Sequence, residues 1–158
     1  MLKKLLGIFL LITFIHANNT LASELSVEDI LKEKQPPPGL VFEIVSGQAN
    51  LLDTLLPNLI KDIKRLRKRF PELSIAIVTH GIEQFALTTN NRQKAKTSHS
   101  LVQQLVNKND IKVHVCETFA GWQDISAEDF PDYIDVSATG PAQINDYLEL
   151  DYELITLP

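Results

Sequence analysis

The sequence predicts an α/β fold: a three-layer sandwich with a mostly parallel sheet of about five strands and helices on both faces. Two observations support this prediction. Short runs of apolar, often β-branched residues alternate along the chain with longer segments in which apolar residues recur at helical spacing. Most positions in these short runs are apolar, which is typical of parallel strands that are covered on both faces.

The predicted strands are short segments spread over the whole chain. They are residues 40–45 (LVFEIV), 72–81 (ELSIAIVTHG), 111–116 (IKVHVC), 133–137 (YIDVS) and 152–158 (YELITLP). Right-handed crossovers between parallel strands place all their carboxyl ends at one edge of the sheet. Ligand-binding and catalytic groups in open α/β sheets gather at that edge, so we expect the functional side chains at the strand ends.

Helices are predicted between the strands. In residues 52–70, apolar side chains recur in alternating steps of four and three, which indicates one helical face. Pro57 is expected in the first turn of this helix or at its true start, because a proline farther inside removes a backbone hydrogen bond. Further predictions are a helical turn at 82–87, a helix at 100–110 and a helix at 139–150 with Pro141 at its first position.

Two polar segments interrupt these elements. Residues 88–100 are predicted as a loop or as the start of a surface helix, with His99 exposed to solvent. Ser126 and Asp129 match the spacing of a capping box.

The first 22 residues are predicted to be a signal peptide. Two lysines precede an apolar run over residues 5–15, which has the length of a signal-peptide hydrophobic region and is too short to span a bilayer. Cleavage is expected after Ala22, with Ala17 and Ser23 as alternatives. A periplasmic protein without membrane attachment after cleavage is therefore predicted; the alternative is a retained N-terminal anchor.

The expected mature chain has two parts. Residues 23–39 form an N-terminal extension, in which Ser26 and Asp29 match a capping box for a short helix over 27–34, followed by a proline-rich spacer. Residues 40–158 form the α/β domain, whose length is sufficient for one hydrophobic core.

Charge and composition exclude several classes of protein. Removal of residues 1–22 takes away two of the 15 basic residues and none of the 20 acidic ones, which changes the net charge from −5 to −7. An acidic domain is a poor binder of nucleic acid or anionic membrane, and the basic residues between 61 and 69 alternate with apolar ones as on a solvated helix face. One cysteine excludes an internal disulfide and a multi-cysteine zinc site.

Cys116, the single cysteine, ends the third predicted strand and is expected at the functional edge. A short helix starting near Glu117 would direct backbone amides toward the sulfur and favour the thiolate, whereas the Glu117 carboxylate disfavours it. Cys116 is therefore either a nucleophile or a small buried apolar residue. Pairing with a cysteine of another molecule is a third alternative.

Two histidines are candidate general bases. His80 ends the second strand, and His114 precedes Cys116 by two residues, which places both side chains of that strand on one face, about 6.5–7 Å apart at Cα. Either ring could take the thiol proton; alternatively, the His114 ring packs under a helix with a hydrogen bond to the backbone. A metal or haem-precursor site through His114 and Cys116 is a weaker hypothesis, because it lacks further close ligands.

Other motifs point to no cofactor. The sequence holds no phosphate-binding glycine-rich loop, no serine-nucleophile elbow and no zinc-protease motif, so neither a cofactor nor a metal is expected. Trp122, close to Cys116 in sequence, either lines a pocket, packs in the core or forms an oligomer contact.

Three segments, in order, resemble the DsrE/DsrF-like family of sulfur-relay proteins. SIAIVTHGIEQFAL (74–87) is similar to the family's strand that ends in His-Gly before an apolar turn. NDIKVHVCETFAGWQDISAEDF (109–130) is similar to its strand that ends in cysteine before a short helix and an acidic turn, and residues 133–158 resemble its closing strand, helix and strand. The resemblance covers about residues 40–158.

The resemblance implies a layered α/β domain that forms homotrimers or hexamers. Cys116 would accept sulfane sulfur as a persulfide and transfer it, and His80 matches the family's His-Gly. The implied partner is a sulfur donor or acceptor protein or a small sulfur compound, and whether the protein is an enzyme stays open. We therefore predict a periplasmic sulfur-handling protein; the alternative is a non-enzymatic oligomeric module that binds a small ligand or a partner protein, with Cys116 structural.

Overall fold

The computed structural model describes residues 24–157, and the predicted signal peptide, residues 1–22, lies outside them. The described part contains a five-stranded parallel sheet with the strand order β4-β3-β2-β1-β5. The strands are β1 (Gly39–Ile44), β2 (Ser74–Thr79), β3 (Lys112–Cys116), β4 (Asp135–Ser137) and β5 (Tyr152–Leu157). The predicted fold class is confirmed, and every strand pair in this part of the chain is parallel.

The helices lie mostly between the strands in sequence. They are α1 (Val27–Lys32), α2 (Leu51–Arg69), α3 (Lys96–Asn109), α4 (Glu117–Gly121) and α5 (Gly140–Leu148), with 3-10 turns at Ile82–Leu87, Thr89–Asn91 and Ala127–Asp129. The turn at Ala127–Asp129 has the predicted capping box between Ser126 and Asp129. Within residues 24–157, no helix combines the length and the apolar character that crossing a bilayer requires.

Alternate residues of β1, β2 and β5 face two separate hydrophobic cores. Phe42, Ile77 and Val115 belong to the larger core, which α2 and α3 cover. Val41 and Val78 belong to the smaller core on the opposite face, which α5 covers. The sheet is therefore the middle of three layers, and the face under α5, called the α5 face below, carries the candidate site.

Helix α2 contains Pro57 in its interior, so the prediction that Pro57 lies in the first turn or at the helix start is wrong. Proline in a helix interior costs about 3 kcal/mol because a backbone hydrogen bond is lost. Leu52, Leu56 and Leu59 flank it and are at most 3% exposed. Their burial, at about 1.5–3 kcal/mol per side chain, outweighs that cost and continues the helix through the proline.

The N-terminal extension packs on α2. Its helix α1 begins with the predicted capping box between Ser26 and Asp29, and Ile30 is fully buried in the larger core. Arg69 of α2 donates a hydrogen bond from Nη2 to the backbone oxygen of Glu33 at 3.0 Å. These contacts fix residues 26–33 against the domain, although the following proline-rich segment has no regular structure.

Helix α3 begins at Lys96, four residues before the predicted start at residue 100. The residue that precedes this helix, Ala95, makes no side-chain capping hydrogen bond. Asp53 of α2 stabilises the first turn instead, because its Oδ1 accepts hydrogen bonds from the Ser98 amide at 3.1 Å and the Ser98 hydroxyl at 2.6 Å. The prediction that His99 is exposed is therefore wrong: the residue lies in α3, is 3% exposed, and its Nδ1 contacts the Tyr133 hydroxyl.

Candidate functional site

A row of polar side chains crosses the α5 face at the carboxyl ends of the strands. Thr156 of β5 pairs with Glu43 of β1, and Ser137 of β4 pairs with Cys116 of β3. His80 directly follows Thr79, which pairs with Val115. Because paired residues of parallel strands lie side by side on one face, this register places His80 next to Cys116.

These two residues line one cleft of about 250 Å³ at this edge, together with Thr118, Phe119, Trp122, Thr139 and Pro141. The structure therefore brings together two of the three predicted site residues. Trp122 is 73% exposed, which excludes the alternative that it packs in the core. A larger cleft of about 570 Å³ lies at the amino ends of the strands, and neither Cys116 nor His80 lines it.

Cys116 ends β3 and also caps α4. Its Sγ accepts a hydrogen bond from the Phe119 amide at 3.3 Å, and the residue is 5% exposed. The buried side chain of Gln84 accepts from the Cys116 amide at 2.7 Å and donates to the Cys116 carbonyl oxygen at 3.4 Å. Both backbone groups of the cysteine are thus held by one amide side chain, which fixes the position of the sulfur.

A buried carboxylate fixes the loop that follows β2. Glu83 is fully buried, and its Oε1 accepts hydrogen bonds from the Thr79 hydroxyl at 2.6 Å and the Gly81 amide at 2.9 Å. Its Oε2 accepts from the Ser46 amide at 2.8 Å. Glu83 therefore joins the ends of β1 and β2 and sets the backbone position of His80.

His80 contacts a carboxylate that sequence reasoning did not single out. Its Nε2 lies 2.9 Å from Oε1 of Glu43, and Oε2 of Glu43 accepts from the Thr156 hydroxyl at 3.0 Å. The start of α5 packs on the same ring, because a Cβ added at Gly140 would lie 2.5 Å from the Cβ of His80.

His114 occupies a different environment, under α5 and outside the cleft lining. Its Nδ1 lies 3.0 Å from the Ser137 hydroxyl, and its Nε2 lies 2.8 Å from the Tyr147 hydroxyl. Burial lowers the pKa of His114 below 6.5, and burial also raises the pKa of Tyr147 to about 12. The ring is therefore neutral near pH 7, with both nitrogens bound to protein hydroxyls.

The same contacts bear on metal binding. With both nitrogens partnered, His114 offers no free nitrogen to a metal ion beside Cys116. Across residues 24–157, no three His, Cys, Asp or Glu side chains cluster in a way that could hold a metal ion. The arrangement at the edge is that of a thiol, an imidazole and a carboxylate, which is suited to proton transfer and nucleophilic attack.

Acid is expected to destabilise the fold through two buried histidines, His99 and His114. Burial lowers the pKa of both His99 and His114 below 6.5. In the unfolded chain each ring binds a proton near pH 6.5, whereas in the folded protein it does so only at lower pH. The free energy of unfolding should therefore be flat above about pH 7 and fall below about pH 6.5, by at most about 1.4 kcal/mol per pH unit for each ring.

Urea unfolding at pH 7.5 and pH 5.5 measures this effect. The variant His114→Gln removes one titrating ring and should show a smaller difference between the two pH values than the wild type. An equal or larger difference in this variant would contradict the assignment of a neutral, buried His114.

Comparison with known proteins identifies the fold. No model of a known protein family matches the chain, and no curated protein matches its sequence. The protein of unknown function MTH1491 from Methanobacterium thermoautotrophicum is similar in structure, with a TM-score of 0.57 and 14% identity over 75% of this chain and 97% of that one.

Two further solved structures have the same fold. They are the conserved protein of unknown function BT1422 from Bacteroides thetaiotaomicron (TM-score 0.52, 14% identity, 74% of this chain and 94% of that one) and the ychN protein from E. coli (TM-score 0.50, 15% identity, 75% and 99%). At these identities the similarity extends to the fold alone. All three chains are matched over almost their full length.

Proposed function

We propose that this chain is an exported sulfur carrier of the DsrE/DsrF-like type, in which Cys116 accepts sulfane sulfur as a persulfide and passes it to an acceptor. The observation that carries this proposal is the position of the single cysteine. Cys116 ends an interior strand at the carboxyl edge of the sheet, in a cleft that also contains an imidazole. A lone thiol in this position suits a group carrier, because a carrier needs no second cysteine.

The transfer is a nucleophilic displacement without a net change of redox state. The Cys116 thiolate attacks the outer sulfur of a donor persulfide or polysulfide, a new S–S bond forms on Cys116, and the donor S–S bond breaks. The donor leaves as a thiolate and takes up a proton. Transfer to the acceptor is the same step in reverse, with the acceptor thiolate attacking the outer sulfur of Cys116.

The two histidines have separate roles in this proposal. His80 takes the proton of the Cys116 thiol and returns it to the leaving thiolate. His114 acts indirectly, because it is hydrogen-bonded to Ser137, the strand neighbour of Cys116. The Phe119 amide donates a hydrogen bond to the sulfur.

Location and assembly form part of the same proposal. The apolar run and small residues of positions 1–22 favour export to the periplasm. The family resemblance favours a homotrimer or hexamer, and the exposed Trp122 gives each cleft an apolar rim that a neighbouring subunit or the sulfur donor or acceptor could cover. The partner is a thiol or persulfide, carried by a protein or by a small compound.

Mass spectrometry after incubation with polysulfide tests the carrier function. We expect one gain of about 32 Da, on the peptide that contains VHVCETF, and its loss with dithiothreitol, because a reductant removes the outer sulfur. Cys116→Ser should abolish the gain while the protein stays folded, His80→Ala should slow it, and His114→Ala should slow it less. Failure to gain the mass, with the thiol shown to be free and accessible, would refute the proposal.

The second candidate is a binding module in which Cys116 is structural, and the 5% exposure of this residue favours it. The rate of alkylation separates the two candidates. A carrier must expose its sulfur to the cleft, so the folded protein should react with iodoacetamide at a rate close to that of an unfolded control. Reaction only after denaturation would favour the binding module.

A further inference from the structure

We propose that Glu43 is the positioning residue of this site: its carboxylate fixes the orientation and the tautomer of His80, so that Nδ1 is the nitrogen that accepts the Cys116 proton. This inference rests on the proposed function for the identity of the reaction, and it adds a residue to which no role has been given so far. Three observations support it.

The first observation is the placement of a carboxylate on an interior strand of the sheet. Glu43 lies in β1, between β2 and β5, and its side chain is 19% exposed. Within residues 24–157, its one ion-pairing partner is His80, and no lysine or arginine pairs with it. A carboxylate in such a position loses much of its hydration, so it needs strong hydrogen-bond donors from the protein.

The second observation is that the two carboxylate oxygens of Glu43 have different partners. Oε1 faces Nε2 of His80 at 2.9 Å, and Oε2 accepts from the Thr156 hydroxyl at 3.0 Å. An ionised carboxylate only accepts hydrogen bonds, so the hydrogen of a neutral imidazole must lie on Nε2. The lone pair is then on Nδ1, for which the described residues provide no hydrogen-bond partner.

The third observation is the confinement of the ring. Glu43 contacts it on one side, and α5 packs against it so closely at Gly140 that no Cβ fits there. The ring also lines the cleft with Cys116. A ring held in this way cannot turn to exchange its two nitrogens, so the hydrogen bond to Glu43 decides which nitrogen acts as the base.

Glu43→Gln tests this role, because the glutamine oxygen keeps the hydrogen bond from the Thr156 hydroxyl, so that the amide nitrogen faces Nε2, donates to it and favours the opposite tautomer. We expect two results in the intact protein. Nitrogen NMR of the His80 ring should show hydrogen on Nε2 in the wild type and a shift toward Nδ1 in the variant. The rate of Cys116 alkylation by iodoacetamide at neutral pH should fall about tenfold, less than the roughly 10²–10⁴-fold that a general base contributes, because the ring itself is still present.

Two further variants make the test specific. Glu117→Gln removes a carboxylate next to Cys116 in sequence that does not contact His80, so the alkylation rate should stay the same or rise. Glu43→Asp keeps a carboxylate and should therefore keep the wild-type tautomer. It provides a second variant for the test if Glu43→Gln does not fold. An unchanged tautomer in Glu43→Gln, hydrogen on Nδ1 in the wild type, or an equal slowing in Glu117→Gln would overturn the proposal.

If the proposed carrier function is wrong, the measurements would give a different combination of results. In that case polysulfide would add no mass to Cys116, whereas the tautomer of His80 and its response to Glu43→Gln would still be as stated. The ring signals therefore report on Glu43, and the mass gain reports on sulfur transfer.

Discussion

Replacement of Glu83 by alanine is expected to lower the free energy of unfolding by about 3–5 kcal/mol, the largest effect on stability that we expect at this edge of the sheet. Three donors lose their acceptor: the Thr79 hydroxyl and the amides of Gly81 and Ser46. Each buried donor left without a partner costs about 1–3 kcal/mol, and the partly buried Ser46 amide costs less. Relaxation and entry of water into the space left by the side chain keep the total below the simple sum.

Urea denaturation compares this variant with two controls. Glu72→Ala removes an exposed carboxylate from the turn before β2 and should change stability by less than about 0.5 kcal/mol. Glu83→Gln keeps one acceptor oxygen and should fall between the wild type and Glu83→Ala. A loss below 1 kcal/mol in Glu83→Ala would mean that other groups satisfy these donors.

Much of the fold could be predicted, because its elements have strong local periodicity. The strands of this sheet are apolar at most positions and are bounded by polar or glycine-containing segments, so their number and parallel arrangement followed from the pattern. Apolar spacing in residues 52–70 indicated α2 in the same way. Both patterns arise from the burial of apolar side chains, which determines the fold and produces a regular spacing of apolar residues in the sequence.

Contacts between distant segments account for the wrong predictions. The start of α3 is stabilised by Asp53, which lies 45 residues from Ser98 in the chain. His99 is consequently buried although its sequence neighbours are polar. Pro57 is tolerated inside α2 because the core holds the flanking leucines, and a local rule on proline takes no account of that energy.

The candidate site likewise has residues that the local sequence predicts and one residue that it does not. The positions of Cys116 and His80 at strand ends could be predicted from the topological rule for parallel sheets, and the cleft brings them together. Glu43 was missed although it is the single charged residue in the run LVFEIV. A charged side chain inside an otherwise apolar strand is the signal that could have identified it, because its burial needs a partner.

His114 illustrates a limit of strand periodicity. Its spacing from Cys116 correctly placed both on one face of the sheet. The partners of its ring, Ser137 and Tyr147, come from β4 and α5, 23 and 33 residues farther along the chain. The spacing therefore predicted the face but not the hydrogen bonds that occupy both nitrogens.

Gly140→Ala is expected to disturb the site from the α5 side. The added Cβ would lie 2.5 Å from the Cβ and 2.6 Å from the Cγ of His80. These atoms are close to the backbone and cannot move aside as the end of a flexible side chain can. Either α5 or the imidazole must shift, so we expect a loss of about 1–3 kcal/mol in the free energy of unfolding, as for other overpacked positions.

The functional consequence should be as large as that of removing the ring itself. A displaced imidazole loses its hydrogen bond to Glu43 and its place beside Cys116, so persulfide loading of Gly140→Ala should slow to the rate of His80→Ala. Gly121→Ala is the matched control, because Gly121 ends α4 near the same cleft and a Cβ there would meet no atom within 4 Å. This control should load sulfur normally and gain up to about 0.5–1 kcal/mol of stability. Normal loading in Gly140→Ala, together with a perturbed fold, would show that the position of His80 does not matter for sulfur transfer.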